Sequence, residues 1–205
     1  MKKNLFFIVF LFLVTNIIAQ DNHKAEINNT LDAWHKAAAE ANFKNYFDAM
    51  TDDAVFIGTD ATENWTKPAF HAYAKPYFDK GKAWSFKALE RHIYFSEDKK
   101  TAWFDELLDT QMKICRGSGI LVSVNNKWKI KHYVLSMTFP NDNTDEVIKI
   151  KAPIEDALII DLKGRKEQQS VLANVLYKPI ISLFRMAMRA ASKAKQITHS
   201  FQPNK

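Results

Sequence analysis

The chain has 205 residues, with 29 Lys and Arg, 23 Asp and Glu, and a single cysteine. Its formal charge of +6 is unevenly distributed, because residues 162–205 hold nine basic residues and one acid, whereas residues 20–161 hold 18 basic and 22 acidic residues. The main part of the chain is therefore near −4, which argues against nucleic-acid binding there. Cys115 alone excludes an internal disulfide; its thiol is either an inert strand side chain or a link between two chains.

The first 19 residues have the pattern of a secretory signal peptide. Lys2 and Lys3 precede an apolar run from Leu5 to Val14, and Ala19 is a small residue suited to cleavage. The apolar run is too short for a membrane span of about 20 residues. We therefore predict export to the periplasm or the exterior, with an uncleaved N-terminal anchor as the alternative.

Three helices are predicted in the first half of the chain. The first runs from residue 22 to about residue 41, and the second begins after Asn42 as its N-cap. The third begins after Thr66, has Pro68 in its first turn, and should kink or end at Pro76. Apolar residues of the first helix recur every three or four positions, at Ile27, Leu31, Trp34, Ala38 and Ala41.

Five segments are predicted to be strands, with a turn at residues 51–53 before the first. Asn125 and Asn126 both tolerate positive φ and suit a type I′ hairpin turn. Gly117 and Gly119 lie inside a strand and indicate a bulge or strong bend. The order of elements predicts an α+β fold with helices on one face of a curved antiparallel sheet. The five predicted strands are residues 54–59, 83–95, 101–110, 112–124 and 127–139.

Several short motifs together resemble the SnoaL-like branch of the nuclear-transport-factor-2-like (NTF2-like) superfamily, over about residues 24–142. Each motif alone is weak, and the combination carries the resemblance. The motifs are Phe56-Ile-Gly-Thr59, Glu63-x-Trp65, Trp103-Phe-Asp-Glu106, Cys115-Arg-Gly-Ser-Gly119, Trp128-Lys-Ile130, Tyr133-x-Leu-Ser136 and Pro140-Asn-Asp142.

This resemblance implies a cone-shaped α+β barrel, usually a homodimer joined through its sheet. The superfamily contains ketosteroid isomerase, scytalone dehydratase, polyketide cyclases, immunity proteins and domains without catalysis, so the fold alone does not define a reaction. No set of residues matches the acid-plus-tyrosine site of ketosteroid isomerase. A domain at residues 22–142 is expected, followed by an extension at residues 143–205.

Asp105 and Glu106 are the leading candidates for a pocket carboxylate. They are adjacent on a strand, so their side chains point to opposite faces and only one can enter the cone. We take Asp105 as the first candidate, although the alternation does not decide between the two. A carboxylate in an apolar cone would have a raised pKa and could transfer a proton. A salt bridge to Arg116 is the structural alternative.

Arg116 and His132 complete the candidate catalytic set. Arg116 could pair with a substrate carboxylate or enolate. His132 shares the alternation of Trp128 and Ile130, so we predict an inward side chain that could serve as general acid or base. For both residues an ordinary structural role is the alternative.

Six aromatic side chains are predicted to bind a flat apolar ligand, and Glu63 is predicted at the pocket rim. Ordinary core packing is the alternative for each aromatic. No HxH or HExxH spacing, phosphate-binding glycine loop or GxSxG elbow is present, so neither a metal nor a cofactor is predicted. The six aromatics are Trp34, Tyr46, Trp65, Tyr73, Tyr77 and Trp103.

The extension is basic and amphipathic from Gly164 onward, while residues 145–163 could be strand or helix. Lys178-Pro179 and Arg185 argue against a membrane span, and contact with a membrane surface, a protein, the domain or a dimer partner remains open. Three functions follow as alternatives. They are a cofactor-free isomerase, dehydratase or cyclase, a binding domain for a small hydrophobic molecule, and an interaction module.

Overall fold

A computed structural model describes residues 22–200, which form two compact units that divide between Phe139 and Pro140. The predicted signal peptide lies outside the described residues. In the first unit, helix α1 covers residues 22–39, α2 Phe43–Asp48 and α3 Lys67–Asp79. The strands are β1 Met50–Ile57, β2 Asn64–Thr66, β3 Phe86–Phe95, β4 Thr101–Thr110, β5 Lys113–Val124 and β6 Lys127–Met137.

The helix boundaries follow the local chemistry that the sequence suggested. The Asn42 side chain accepts a hydrogen bond from the Asn45 backbone N–H at 3.1 Å and so caps α2. Thr66 is the N-cap residue of α3, but its side chain makes no capping bond. Helix α3 continues through Pro76 for less than one further turn, and Gly81 follows its end at a φ of 70°.

The six strands form one sheet in the order β2-β1-β6-β5-β4-β3, in which β1 and β6 are parallel and all other pairs are antiparallel. The predicted α+β architecture is thereby confirmed. The predicted turn at residues 51–53 is wrong, because these residues belong to β1. Asn125 and Asn126 have φ values of 51° and 61°, as a type I′ turn between β5 and β6 requires.

The core lies between the helices and one face of the sheet. The predicted stripe of α1 is buried at Ile27, Leu31, Trp34 and Ala38. Trp34 stacks on Tyr46 of α2 with 4.9 Å between ring centroids, so aromatic side chains join the helices in the interior.

The second unit is helical. A short 3₁₀ turn at Asn141–Asn143 leads into α4, Thr144–Leu172, and α5 spans Lys178–Ser200. Residues 145–163, for which strand and helix were both open, are helix. A π-helical turn at Ala173–Tyr177 separates the two helices next to Pro179, whose missing N–H interrupts the α-helical ladder.

The helical run Asn141–Arg189 is long and apolar enough to cross a membrane by length and composition, with a mean hydropathy of 1.3 over its best 18 residues. Helices of soluble proteins can meet the same criterion, so the result alone does not place the run in a membrane.

Candidate functional site

A cavity of about 250 Å³ opens in the first unit between α3, the segment before β3, and the sheet. Its wall is mainly aromatic and aliphatic, and Glu63 is its only charged residue. The lining consists of Phe56, Gly58, Thr59, Glu63, Phe70, Tyr73, Tyr77, Ala83, Trp84, Phe86, Gln111, Met112 and Leu135. Such a wall suits a small apolar molecule with one or two polar groups.

Two tyrosines on α3 contribute hydroxyl groups to this wall, in addition to the polar side chains of Thr59, Glu63 and Gln111. Burial, a hydrogen bond with Tyr77 and the nearby Glu63 carboxylate raise the pKa of Tyr73 to about 12. The Tyr73 phenol therefore stays protonated at neutral pH and can donate a hydrogen bond. Gly58 allows Glu63 to lie close by, because a Cβ atom at position 58 would overlap the Glu63 carboxylate.

A second feature is a buried polar network centred on Glu106 of β4. His35 Nε2 lies 2.9 Å from Glu106 Oε1, and Tyr133 donates a hydrogen bond to the same oxygen at 3.1 Å. Arg91 Nε donates to Oε2 at 2.8 Å, while one terminal nitrogen of Arg91 reaches Asp32 at 2.9 Å. Glu106, His35, Arg91 and Tyr133 do not line the cavity. The network instead links α1 to three strands within the core.

The electrostatics of this network hold Glu106 ionised. Burial raises the pKa of the Glu106 carboxyl, but His35 and the Arg91 guanidinium together outweigh burial, so the pKa lies below its usual value. Burial and the Glu106 carboxylate raise the pKa of Tyr133, which stays a hydrogen-bond donor. The expectation of a raised carboxylate pKa in the cone is thus wrong, because the apolar interior supplies two cationic or donor partners.

Asp105 lies on the opposite face from the core, with a side chain that is 46% exposed, and it pairs with His92 at 3.0 Å. Arg116 is also exposed, and it lies opposite Leu107 rather than Asp105. The choice of Asp105 as the inward carboxylate therefore needs correction to Glu106. The proposed pairing of Asp105 with Arg116 is also corrected, since His92 occupies that role.

The inward placement of His132 is wrong as well. Between β5 and β6, Ile120 is paired with His132 and Leu121 is paired with Ile130. Lys131 has no partner in β5 and is therefore an extra residue in β6. This bulge reverses the alternation, and Tyr133 becomes buried while His132 is only half-buried. For Gly117 and Gly119 a bulge or a strong bend was predicted; the bulge lies in the neighbouring strand, at Lys131.

The six predicted aromatic residues fall into three groups. Tyr73 and Tyr77 line the cavity. Trp65 stacks behind Tyr73 at 4.5 Å between centroids, and Trp34 and Tyr46 are buried core. Trp103 is 46% exposed on the outer face of the sheet, where it stacks on Tyr94 at 6.0 Å.

Sequence reasoning missed His35, Arg91 and Trp84. His35 had a detectable signal, because Leu31, Trp34, His35 and Ala38 follow the 3-4-7 spacing of one helix face. Arg91 and Trp84 had no comparable pattern. Among the side chains that the structure describes, at residues 22–175 and 177–189, no three of His, Cys, Asp or Glu are grouped so that they could hold a metal ion.

Comparison with known structures defines the class of the first unit. A candidate dehydratase of the NTF2-like family from Streptomyces avermitilis is 9% identical, covers 59% of this chain and 99% of its own, and has a TM-score of 0.52. A candidate aromatic ring hydroxylase from Novosphingobium aromaticivorans is 14% identical, covers 58% and 91%, and has a TM-score of 0.51. These similarities show an NTF2-like fold.

The family follows from the sequence comparison. The sequence model of the SnoaL-like domain family matches residues 27–140, which is more than half of the chain. The protein therefore belongs to the SnoaL-like domain family. A comparison with curated protein sequences found no significant match.

Proposed function

We propose that the first unit binds a small, flat, uncharged molecule in the cavity between α3 and the sheet. The observation that carries this proposal is the wall itself, in which aromatic rings predominate around about 250 Å³ of space. Phe70 and Trp84 both line the cavity and stack on each other with 5.7 Å between centroids, so packed aromatic rings form this part of the wall.

The polar groups narrow the ligand class. Glu63 accepts hydrogen bonds and repels anions, whereas the Tyr73 and Tyr77 hydroxyls, which share one hydrogen bond, have one O–H left to donate. A neutral aromatic alcohol satisfies both groups. An aromatic carboxylate of the same size would bring a second negative charge beside Glu63, so the cavity should discriminate against it.

Two matched probes test this proposal. Titration of the protein with 2-naphthol should give saturable quenching of tryptophan fluorescence, and 2-naphthoate should bind at least tenfold more weakly. Ala83→Phe, which adds a ring to the cavity wall, should abolish 2-naphthol binding. Trp103→Phe, on the outer face, is the control and should bind normally. Equal binding by the Ala83→Phe variant would refute a site in this cavity.

A catalytic role is the second candidate, and it is supported by the presence of Glu63 and Tyr73 in one cavity. A carboxylate can remove a proton from a bound molecule while a phenol stabilises the developing oxyanion. The ionised Glu106 is committed to its network and does not line the cavity. If native ligand extracted from the protein is converted to product, Glu63→Gln should stop turnover and retain binding. Retained turnover would exclude Glu63 as the base.

We also propose that the outer face of the sheet joins two copies of the chain. Tyr94, Trp103 and Ile120 lie in register on three adjacent strands and are all exposed. A contiguous apolar row of this kind is typical of an interaction surface.

A further inference from the structure

Helix α5 is unlike the rest of the protein in charge. Its 23 residues include Lys178, Arg185, Arg189, Lys193 and Lys195, and no aspartate or glutamate. A helix with this composition is attracted to an anionic surface, and no acidic side chain within the helix offsets that attraction.

Between Lys178 and Arg189 the polar and apolar residues of α5 lie on different sides. Lys178, Ser182, Arg185 and Arg189 are separated by four, three and four positions, which places them in one stripe along the helix. Their side chains line one shallow groove. The basic charge is therefore concentrated along a narrow strip.

Between Lys178 and Arg189 the rest of the α5 surface is apolar, and its large side chains are exposed. Ile180, Leu183, Phe184 and Met188 are 61%, 64%, 66% and 60% exposed, respectively. At 100° per residue Ile180, Leu183 and Phe184 fall on the side opposite the basic stripe, and Met188 lies on the flank of this apolar face. An exposed apolar face this broad is much larger than solubility in water favours.

We propose that α5 binds the surface of an anionic lipid bilayer and lies in the plane of the interface. The apolar face enters the boundary between headgroups and acyl chains, while Lys178, Arg185 and Arg189 contact the lipid phosphates. A spanning orientation would place Arg185 in the hydrocarbon, which is unfavourable. Nucleic acid would engage the basic stripe but leave the apolar face in water.

Vesicle sedimentation tests the role of charge. The full-length chain should bind vesicles of 70% phosphatidylcholine and 30% phosphatidylglycerol at least tenfold more tightly than pure phosphatidylcholine vesicles. Arg185→Glu/Arg189→Glu should remove most of this preference. Lys163→Glu/Lys166→Glu in α4 changes the charge by the same amount and should weaken binding less than threefold. Equal effects of the two double variants would overturn the proposal.

A fluorescent label on α5 distinguishes membrane binding by α5 from membrane binding by the apolar N-terminal segment. Cys115 is the only cysteine and is buried, so a fluorophore can be attached at an introduced surface cysteine. A polarity-sensitive label at Ile180→Cys, on the side opposite the basic stripe, should shift to the blue with anionic vesicles, whereas a label at Ser182→Cys should not. No shift at position 180, or an equal shift at both positions, contradicts a helix lying in the interface. Neither experiment involves the cavity, so the binding proposal above is tested independently.

Discussion

Tyr133 of β6 donates a hydrogen bond to Glu106 of β4 at 3.1 Å, although strand β5 lies between them. Gly117 of β5 is the residue paired with Glu106, and a Cβ atom there would overlap the Tyr133 hydroxyl and lie 2.9 Å from Glu106 Oε1. The absence of a side chain at position 117 is what allows the two residues to meet.

The first prediction concerns the two adjacent carboxylates. Glu106→Gln should lower the free energy of unfolding by about 3 kcal/mol, because it removes one partner of a buried ion pair and leaves Arg91 under-compensated. Asp105→Asn changes a half-exposed side chain on the other face and should have little effect. Urea denaturation monitored by near-ultraviolet circular dichroism measures both. A larger loss in Asp105→Asn would contradict the assignment of faces.

The second prediction is a dependence of stability on pH. Because the folded-state pKa of Glu106 lies below its usual 4.5, its contribution is full above the unfolded-state pKa and is lost as the pH falls through the folded-state pKa. The stability difference between the wild-type protein and Glu106→Gln should therefore be constant between about pH 5 and 7 and should shrink below about pH 4. Thermal unfolding of both proteins across this pH range measures the stability difference. A stability difference that grows on acidification would show that the pKa of Glu106 is raised and not lowered.

The third prediction concerns two glycines. Gly117→Ala should destabilise the protein by about 2 kcal/mol, because the added methyl group displaces buried atoms that cannot move freely. Gly164 lies inside α4, and apart from its chain neighbours and the adjacent helix backbone no atom lies within 4 Å of a Cβ built there, so Gly164→Ala should be neutral or stabilise that helix by about 0.5 kcal/mol. Far-ultraviolet circular dichroism during denaturation compares the two. Tolerance of alanine at position 117 would indicate that the network is less tightly packed.

The fourth prediction tests the outer face of the sheet. If Tyr94, Trp103 and Ile120 join two copies, Trp103→Glu should shift the dimer toward monomer by at least tenfold in dissociation constant, because it buries an unpaired charge in the interface. Light scattering after size-exclusion chromatography gives the mass. The control is Tyr77→Phe, in the cavity, which should leave the mass unchanged. A wild-type monomer at high concentration would refute the dimer.

Much of the fold could be predicted from the sequence, since its signals are local. The stripe of α1, the cap at Asn42, the asparagine turn after β5 and the alternation in β4 each depend on neighbouring residues, and the structure shows each of them. Strand β4 was predicted with its observed boundaries, and the polar segment at residues 96–100 marks its start.

The candidate site was harder to predict from the sequence, because a shift of one residue in strand register decides which side chains point inward. The extra residue Lys131 places Tyr133 in the core instead of His132, and no local pattern in β6 reveals it. The ammonium group of Lys131 pairs with Asp53 on β1, a contact between strands distant in sequence. Similarly, alternation shows only that one of Asp105 and Glu106 points inward. The partners of Glu106 on α1 and β3, which are distant in sequence, decide which of the two it is.

The sequence by itself thus determined the class of fold, the family resemblance and the basic, amphipathic character of the C-terminal segment, because composition and periodicity are properties of contiguous residues. Only the tertiary structure decided that Glu106 is ionised in the core, that Tyr73 and Tyr77 share a cavity with Glu63, and that Asp105 and Trp103 face outward. These outcomes depend on which strands pair and in what register, and on charges brought together from distant positions in the chain.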